Sequence, residues 1–366
     1  MQQEPDDHPL RFTEPVEAGA AYRLQQLAEW PALVVARRHQ ADRCRQAFFH
    51  PDTSGLAAFN RSVSRYRAKF RDLLGWPLND PAFRRLPPPV PSELRQVGTD
   101  DLGTIHRLVL PCADGISLYG LLFLPHRPPP HPLVIAQHGG LGTPEVCSGL
   151  LATGSGNYRG MTRRVWRLGA AVFAPQLLLW DKEYGTDPDG KAAHEIRQQL
   201  DVQLKQAGGS VTAVELFKLG RALDYLLARG DMDRTRVGMI GLSYGGFYTL
   251  LAAALDTRLR AAVSSCYIND RYRYDWPDWT WHDAANRFLD PEIASLVCPR
   301  ALRLEAGQRD DLFDVSGACK VGEQTRALYE RLGLGDRFEF EAFDGGHELH
   351  PGPAPIAFLR RHLRLG

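Results

Sequence analysis

The hydrophobic pattern of the chain changes near residue 100. Up to about residue 92, apolar side chains recur in helical patches at 22–30 and 57–74, and the stretch ends in Leu86-Pro87-Pro88-Pro89-Val90-Pro91. Prolines at that density stop helices and inner strands. The pattern therefore predicts an N-terminal helical arm and linker over 1–92 and a main domain over 93–366. From residue 104 onward, short apolar runs alternate with amphipathic stretches. Residues 104–110 and 116–124 flank Ala113-Asp114-Gly115, an Asp-Gly step that predicts a β-hairpin. Residues 133–137 and 170–175 read as short buried strands. Over 211–229, Leu216, Leu219, Leu223 and Leu226 share one helical face, and Glu215, Lys218 and Arg221 share another. Then follow strand 236–241, helix 246–255, strands 261–265 and 301–305, helix 322–332, strand 337–343 and a helix at 354–364. In the last strand Phe338 and Phe340 alternate with Arg337, Glu339 and Glu341. Strands alternating with helices behind an opening hairpin predict an α/β domain. Its sheet is mostly parallel, with about eight strands, and helices cover both faces.

One of these strands ends in chemistry. Gly241-Leu242-Ser243-Tyr244-Gly245-Gly246 places Gly-x-Ser-x-Gly between strand 236–241 and the helix that follows. That order is a sharp turn presenting one hydroxyl at the tip of a sheet, with small residues where strand and helix cross. A serine hydroxyl is a poor nucleophile at neutral pH and needs a base, which in turn needs an acid to orient it. Both occur later in the chain, after strands. Glu305 to Phe313 contains Asp310 and Asp311, and Phe343-Asp344-Gly345-Gly346-His347-Glu348 contains His347. Strand C-termini are where an open α/β sheet gathers its ligand site, so Ser243, Asp310 and His347 are expected to converge. Asp311 and Asp314 are alternatives for the acid. His350, His282 and His138 are alternatives for the base, but His347 alone directly follows the last strand in a Gly-Gly-His loop. An oxyanion needs two backbone N–H groups. Tyr244 is expected to supply one. The loop His138-Gly139-Gly140-Leu141-Gly142 is expected to supply the other, from Gly140 or, failing that, Leu141, with the His138 ring bracing the loop.

His138-Gly139-Gly140, then Gly241-Leu242-Ser243-Tyr244-Gly245-Gly246, then the Asp310/His347 pair, in that order over about 100–366, resemble the α/β-hydrolase superfamily. Within it they resemble the dienelactone-hydrolase-like and acetyl-xylan-esterase-like bacterial serine hydrolases. The resemblance implies the α/β-hydrolase fold and a Ser243–Asp310–His347 triad; the family pattern Gly-x-x-Asp, counted from Gly307, selects Asp310. It implies acyl transfer in two steps with no metal and no organic cofactor. His347-Glu348 matches the His-Glu pair of one acetyl-xylan-esterase family. Tyr244 stands where that family has Gln, and the nearest likeness to its upstream Arg-Gly-Gln is Arg159-Gly160-Met161. Dienelactone hydrolases carry cysteine where Ser243 stands.

Composition narrows the partners. A formal net charge of +1 over 366 residues gives no electrostatic footprint for nucleic acid or an anionic membrane. No apolar run is long enough to span a bilayer. The acidic, polar start (Met1 to His8) does not read as a signal peptide. Six scattered cysteines without metal-ligand spacing read as buried reduced thiols of a cytoplasmic protein. Self-association is left open. Residues 267–292 form an insertion rich in aromatics. Trp276, Trp279 and His282 there, with Trp180, are the candidates for a pocket that stacks on a sugar or aryl ring; the competing reading is that these rings pack the insertion onto the body. The expected function is a carboxylic-ester hydrolase acting on small or acetylated, including carbohydrate, esters. A serine peptidase of the prolyl-oligopeptidase type and a non-catalytic binding protein are the alternatives.

Overall fold

The computed structural model describes residues 12–113, 115–151, 153–274 and 276–366. Asp114 of the predicted hairpin turn and the acidic start of the chain lie outside the described residues. By its packing the chain divides after Phe48 rather than at the proline-rich linker. One unit is the segment up to Phe48 with Ala285–Arg287, and the other is the rest. The first unit is built on the helix Ala20–Phe48. Within it, Arg45 donates to the Ala285 carbonyl at 2.6 Å and the Arg287 guanidinium lies 4.9 Å from the Phe48 ring centre.

The second unit holds a nine-stranded sheet. Its strands are β1 (Glu93–Asp100), β2 (Gly103–Ala113), β3 (Ile116–Pro125), β4 (His131–Gln137), β5 (Ala171–Pro175), β6 (Met232–Leu242), β7 (Ala261–Ser265), β8 (Ala301–Gly307) and β9 (Phe338–Phe343), in the order β1-β2-β3-β5-β4-β6-β7-β8-β9. The first three pair antiparallel, and so do β3 and β5; β5, β4 and β6 to β9 are parallel. The strand missing from the sequence reading is β1. It is a mostly exposed edge strand without the alternation that marks a buried face. Helix Ala193–Gln206 was also not expected.

Helices cover both faces, and β6 shows why. Side chains three apart on a strand point to opposite faces. A side chain at Gly238 would meet Leu363 and Leu359 of helix Ala354–Leu363, whereas one at Gly241 would meet Gly245 and Thr249 of helix Tyr244–Leu255. From β4 the chain steps to one side for β5 and to the other for β6. The loops leaving β4 and β6 therefore part over a crevice at the strand C-termini, where open α/β sheets bind ligands.

Helix Leu56–Leu74 belongs to this second unit. Phe59, Val63, Phe70 and Leu74 are buried, and Arg67 donates to the carbonyls of Ala254 at 2.7 Å and Leu296 at 2.9 Å. The polar face read from helix Val211–Ala228 is buried as well. Arg221 donates to the carbonyls of Cys112, Leu86 and Pro87, which fastens the proline-rich segment to the body. A stripe of charged residues at helical spacing is thus largely internal here, because each charge is paired: Glu215 with Lys218 and Arg197, and Arg221 with carbonyls and Asp224. The six cysteines are free, and Cys44 and Cys319 are only partly buried. No helix among the described residues is long and apolar enough to cross a membrane.

Candidate active site

Ser243 sits between β6 and helix Tyr244–Leu255 with φ 59° and ψ −122°. Such a conformation costs about 1–3 kcal/mol and persists only where its surroundings over-determine it. Here the Ser243 N–H donates to the Ser265 carbonyl at 2.9 Å, and its carbonyl accepts the Phe247 N–H at 2.9 Å. Gly245 is required by close approach, since a side chain there would enter the backbone at Gln137 and His138. The elbow is therefore wedged against the end of β4, with Gly139 packed beside the Ser243 side chain.

Asp310 and His347 meet as expected. His347 Nδ1 lies 2.8 Å from Asp310 Oδ2, and the Asp310 side chain is 1% exposed. The other oxygen, Oδ1, accepts the N–H groups of Leu312 at 2.9 Å and Phe313 at 3.1 Å. That clamp leaves the carboxylate one free oxygen, and it points to the imidazole. Asp311 is exposed, and Asp314 pairs with Arg273 and caps the helix beginning at Val315. His350 is half-buried; its Nδ1 accepts the Gly352 N–H and its Nε2 faces Glu341.

Groups from three other elements hold the His347 loop. Buried Glu305 of β8 accepts the His350 N–H at 3.1 Å, Asn157 accepts the Leu349 N–H at 2.8 Å, and Arg164 donates to the His350 carbonyl at 3.3 Å. Glu348 forms an ion pair with Arg159, which puts the Arg159-Gly160 segment against the His-Glu pair. Cys266, at φ 46° just after β7, is buried against the same loop, with Sγ 3.1 Å from the Glu348 carbonyl. Burial, reinforced by the Asp310 charge, pushes its thiol up to about 12, so it stays protonated and inert.

The loop after β4 is rigid for a legible reason. His138 is fully buried, and its pKa is pushed down to about 4 by burial. The neutral ring spans the loop. Nε2 accepts the Leu177 N–H at 2.9 Å, which leaves Nδ1 to donate to the Gly139 carbonyl at 2.7 Å. The Gly139 N–H is spent on the buried Tyr158 hydroxyl at 2.9 Å. Gly140 is exposed, and a side chain there would touch the Tyr244 ring. Leu141, at φ 59°, bridges to Trp180. Trp180 thus adjoins the loop and lines a cavity of about 510 Å³ with Tyr119, Glu145, Gln176, Tyr184 and Lys218.

The other pocket candidates divide. Trp276 stacks on Tyr244, which is next to Ser243 in the chain, 6.0 Å between ring centres and 16° apart in plane. Trp279 does not line a pocket. It is 3% exposed, lies flat against Phe247 and Phe313, and presents edges to Tyr244 and Tyr267. Phe313 in turn lies 5.5 Å from the His347 ring. Packing is therefore what Trp279 does: one indole joins the elbow to the loops carrying Asp310 and His347. His282 is exposed and lines a separate cavity with Leu74, Gly75 and Thr280, so it belongs to a different surface.

Sequence reasoning missed the charges beneath these rings. Asp278 is buried between Arg197 Nε at 2.6 Å and the Tyr244 hydroxyl at 3.2 Å, and its carbonyl accepts the Thr212 hydroxyl at 2.6 Å. Arg197 also reaches the Leu178 carbonyl and the Tyr248 hydroxyl, with Glu215 at 3.7 Å. A second buried pair, Arg271 with Asp290 at 2.7 Å, includes the Tyr267 hydroxyl. The signal in the sequence was charge inside an aromatic segment, which reads as exposed loop unless the partners are known. Asp278→Asn leaves the Arg197 charge buried with Glu215 as its remaining counterion. We expect a stability loss of about 3 kcal/mol, measured as the shift in a urea midpoint with unchanged slope.

Comparisons with known proteins bear on the fold and on the reaction class of similar proteins. The family model for Peptidase_S9, the prolyl oligopeptidase family, matches residues 205–292, which contain the elbow. Over 169 residues the chain is 30% identical to "Putative hydrolase YtaP" of Bacillus subtilis (strain 168), covering 44% of this chain and 55% of that protein. Over 208 residues it is 23% identical to "Carbohydrate esterase MZ0003" of an unknown prokaryotic organism, covering 51% of this chain and 46% of the relative. The chain spans about half the length of the curated relatives it matches. Among solved structures, "Methylesterase BT1017" superposes with a TM-score of 0.65 at 18% identity, over 90% of this chain and 69% of that one. With the sheet order, the strained serine after β6 and these likenesses together, the chain has the α/β-hydrolase fold.

Proposed function

We propose that this chain is a serine carboxylic-ester hydrolase acting on esters of carbohydrates through Ser243, His347 and Asp310. The observation that carries the reading is the Asp310 clamp: a buried carboxylate with one oxygen held by two backbone N–H groups and the other 2.8 Å from His347 Nδ1. An imidazole so held has its proton on Nδ1 and its Nε2 lone pair available as a base. His347 takes the Ser243 proton as Oγ attacks the ester carbonyl. The N–H groups of Tyr244 and Gly140 receive the developing oxyanion. His347 then passes the proton to the departing alcohol, and water releases the acid by the reverse route.

The carbohydrate part rests on the names of the relatives and on the chemistry of the wall beside the oxyanion loop. Trp180 and Tyr184 offer ring faces and Glu145 and Lys218 offer polar ends, a mixture suited to a sugar. The match to the prolyl oligopeptidase family favours a second reading, a serine peptidase. A panel of p-nitrophenyl acetate, acetylated xylan, a methyl ester of a uronic acid and a dipeptide anilide separates the two. Turnover of the esters at rates at least about 100-fold above the anilide is expected, a preference of about 2.7 kcal/mol or more in transition-state free energy. A reversed preference assigns the peptidase instead.

A further inference from the structure

At the end of the sheet away from Ser243, where β6 to β9 begin, lies a cavity of about 1210 Å³. Six arginines from five segments wall it: Arg236, Arg260, Arg300, Arg337 and, from the C-terminal helix and its cap, Arg361 and Arg364. Two are neutralised locally. Arg236 pairs with Asp233 at 2.6 Å, and Arg361 pairs with Glu339, which Arg303 also holds. Among the described residues the other four have no carboxylate within 4.0 Å. Arg337 reaches only the Pro299 carbonyl, at 2.9 Å. Arg300 is 8% exposed and bonds only the carbonyls of Asp256, Leu259 and Leu296. Burial and the nearby Arg67 charge push its guanidinium down to about 10, still protonated at neutral pH. Arg260 and Arg364 are exposed. Asp336 is the remaining acidic residue of the wall.

The chain as a whole carries a net charge of +1, so this is local concentration of charge and not a generally basic surface. Like charges gathered at a concave surface of low dielectric repel one another and focus an attractive field for anions. Guanidinium forks match the oxygens of phosphate groups in pairs, and several converging from different elements select a ligand with several such oxygens. A single carboxylate or phosphate would leave part of the cluster unmatched. The cleft is also large enough to take a group attached to the anion.

We infer that this cleft binds a small molecule carrying linked phosphate groups, at a site separate from the proposed ester-hydrolysing centre. The test uses the full chain and inorganic pyrophosphate and ADP as probes, with citrate as a carboxylate of comparable charge, followed by titration calorimetry at low ionic strength. Saturable pyrophosphate binding is expected, weakening as salt is raised, with ADP retained and citrate weaker. Arg260→Gln/Arg364→Gln removes two exposed charges without opening the core. It should weaken binding by about tenfold or more, and ester turnover should stay at the parent rate. Arg337→Gln serves as an independent variant with the same expected direction. Absence of saturable binding, binding undiminished in both variants, or citrate binding as tightly as pyrophosphate would overturn the assignment.

Discussion

Replacing Ser243 by alanine is expected to lower kcat/KM for p-nitrophenyl acetate by about 10⁴-fold or more. The reason is that the proposed mechanism forms the acyl intermediate on this hydroxyl. Ser243 holds φ 59° through backbone contacts to Ser265 and Phe247, not through its side chain. Alanine meets the same backbone demand, so the melting temperature should stay within a few degrees of the parent. That pairing of lost turnover with retained stability distinguishes a nucleophile from a structural serine. Turnover within tenfold of the parent would remove Ser243 from the mechanism and leave a binding role for the fold.

The second large effect separates two neighbouring acids. Asp310→Asn should lower kcat by about 10⁴-fold, while Asp311→Asn should leave it within about twofold. The amide keeps the size of the carboxylate but presents either an N–H or an uncharged oxygen to His347 Nδ1. In the first case the imidazole is forced into the tautomer whose Nε2 cannot accept the serine proton. In the second it loses the charge that stabilises the imidazolium formed during attack. The side chain is 1% exposed and its Oδ1 already accepts two backbone N–H groups, so water cannot substitute for the missing charge. Asp311 is exposed and makes no such contact. Paired kinetics and melting curves of the two variants decide the assignment. Equal losses in both, or a larger loss in Asp311→Asn, would require another acid.

How much of this was legible beforehand depends on the range of the interactions. The elbow was readable because its cause is local: Gly241 and Gly245 bracket one strained residue between a strand and a helix that the pattern already marks. The hairpin, the parallel strands and the order of the motifs are readable for the same reason. β1 was not, because an exposed edge strand carries no burial pattern. Helix Leu56–Leu74 looked like part of an arm because its anchors, Arg67 on the carbonyls of Ala254 and Leu296, are almost two hundred residues or more away in sequence.

The aromatic insertion shows the same limit at the site. Residues 267–292 announce rings but not their directions. Trp279 turns inward against Phe247 and Phe313, Trp276 stacks on Tyr244, and His282 faces another cavity. The same segment is held by two buried ion pairs, Arg197–Asp278 and Arg271–Asp290. Opposite charges buried together accept only a narrow geometry, since misplacing either leaves an uncompensated charge. The sequence by itself determined the α/β class, the position of the serine and the order of its candidate partners, because periodicity and turn chemistry are properties of neighbouring residues. Only the tertiary structure decided that Asp310 and not Asp311 faces His347, that Trp279 braces rather than lines the site, and that unneutralised arginines gather at the far end of the sheet. Those outcomes depend on which distant groups share one buried space, and a linear pattern does not encode that directly.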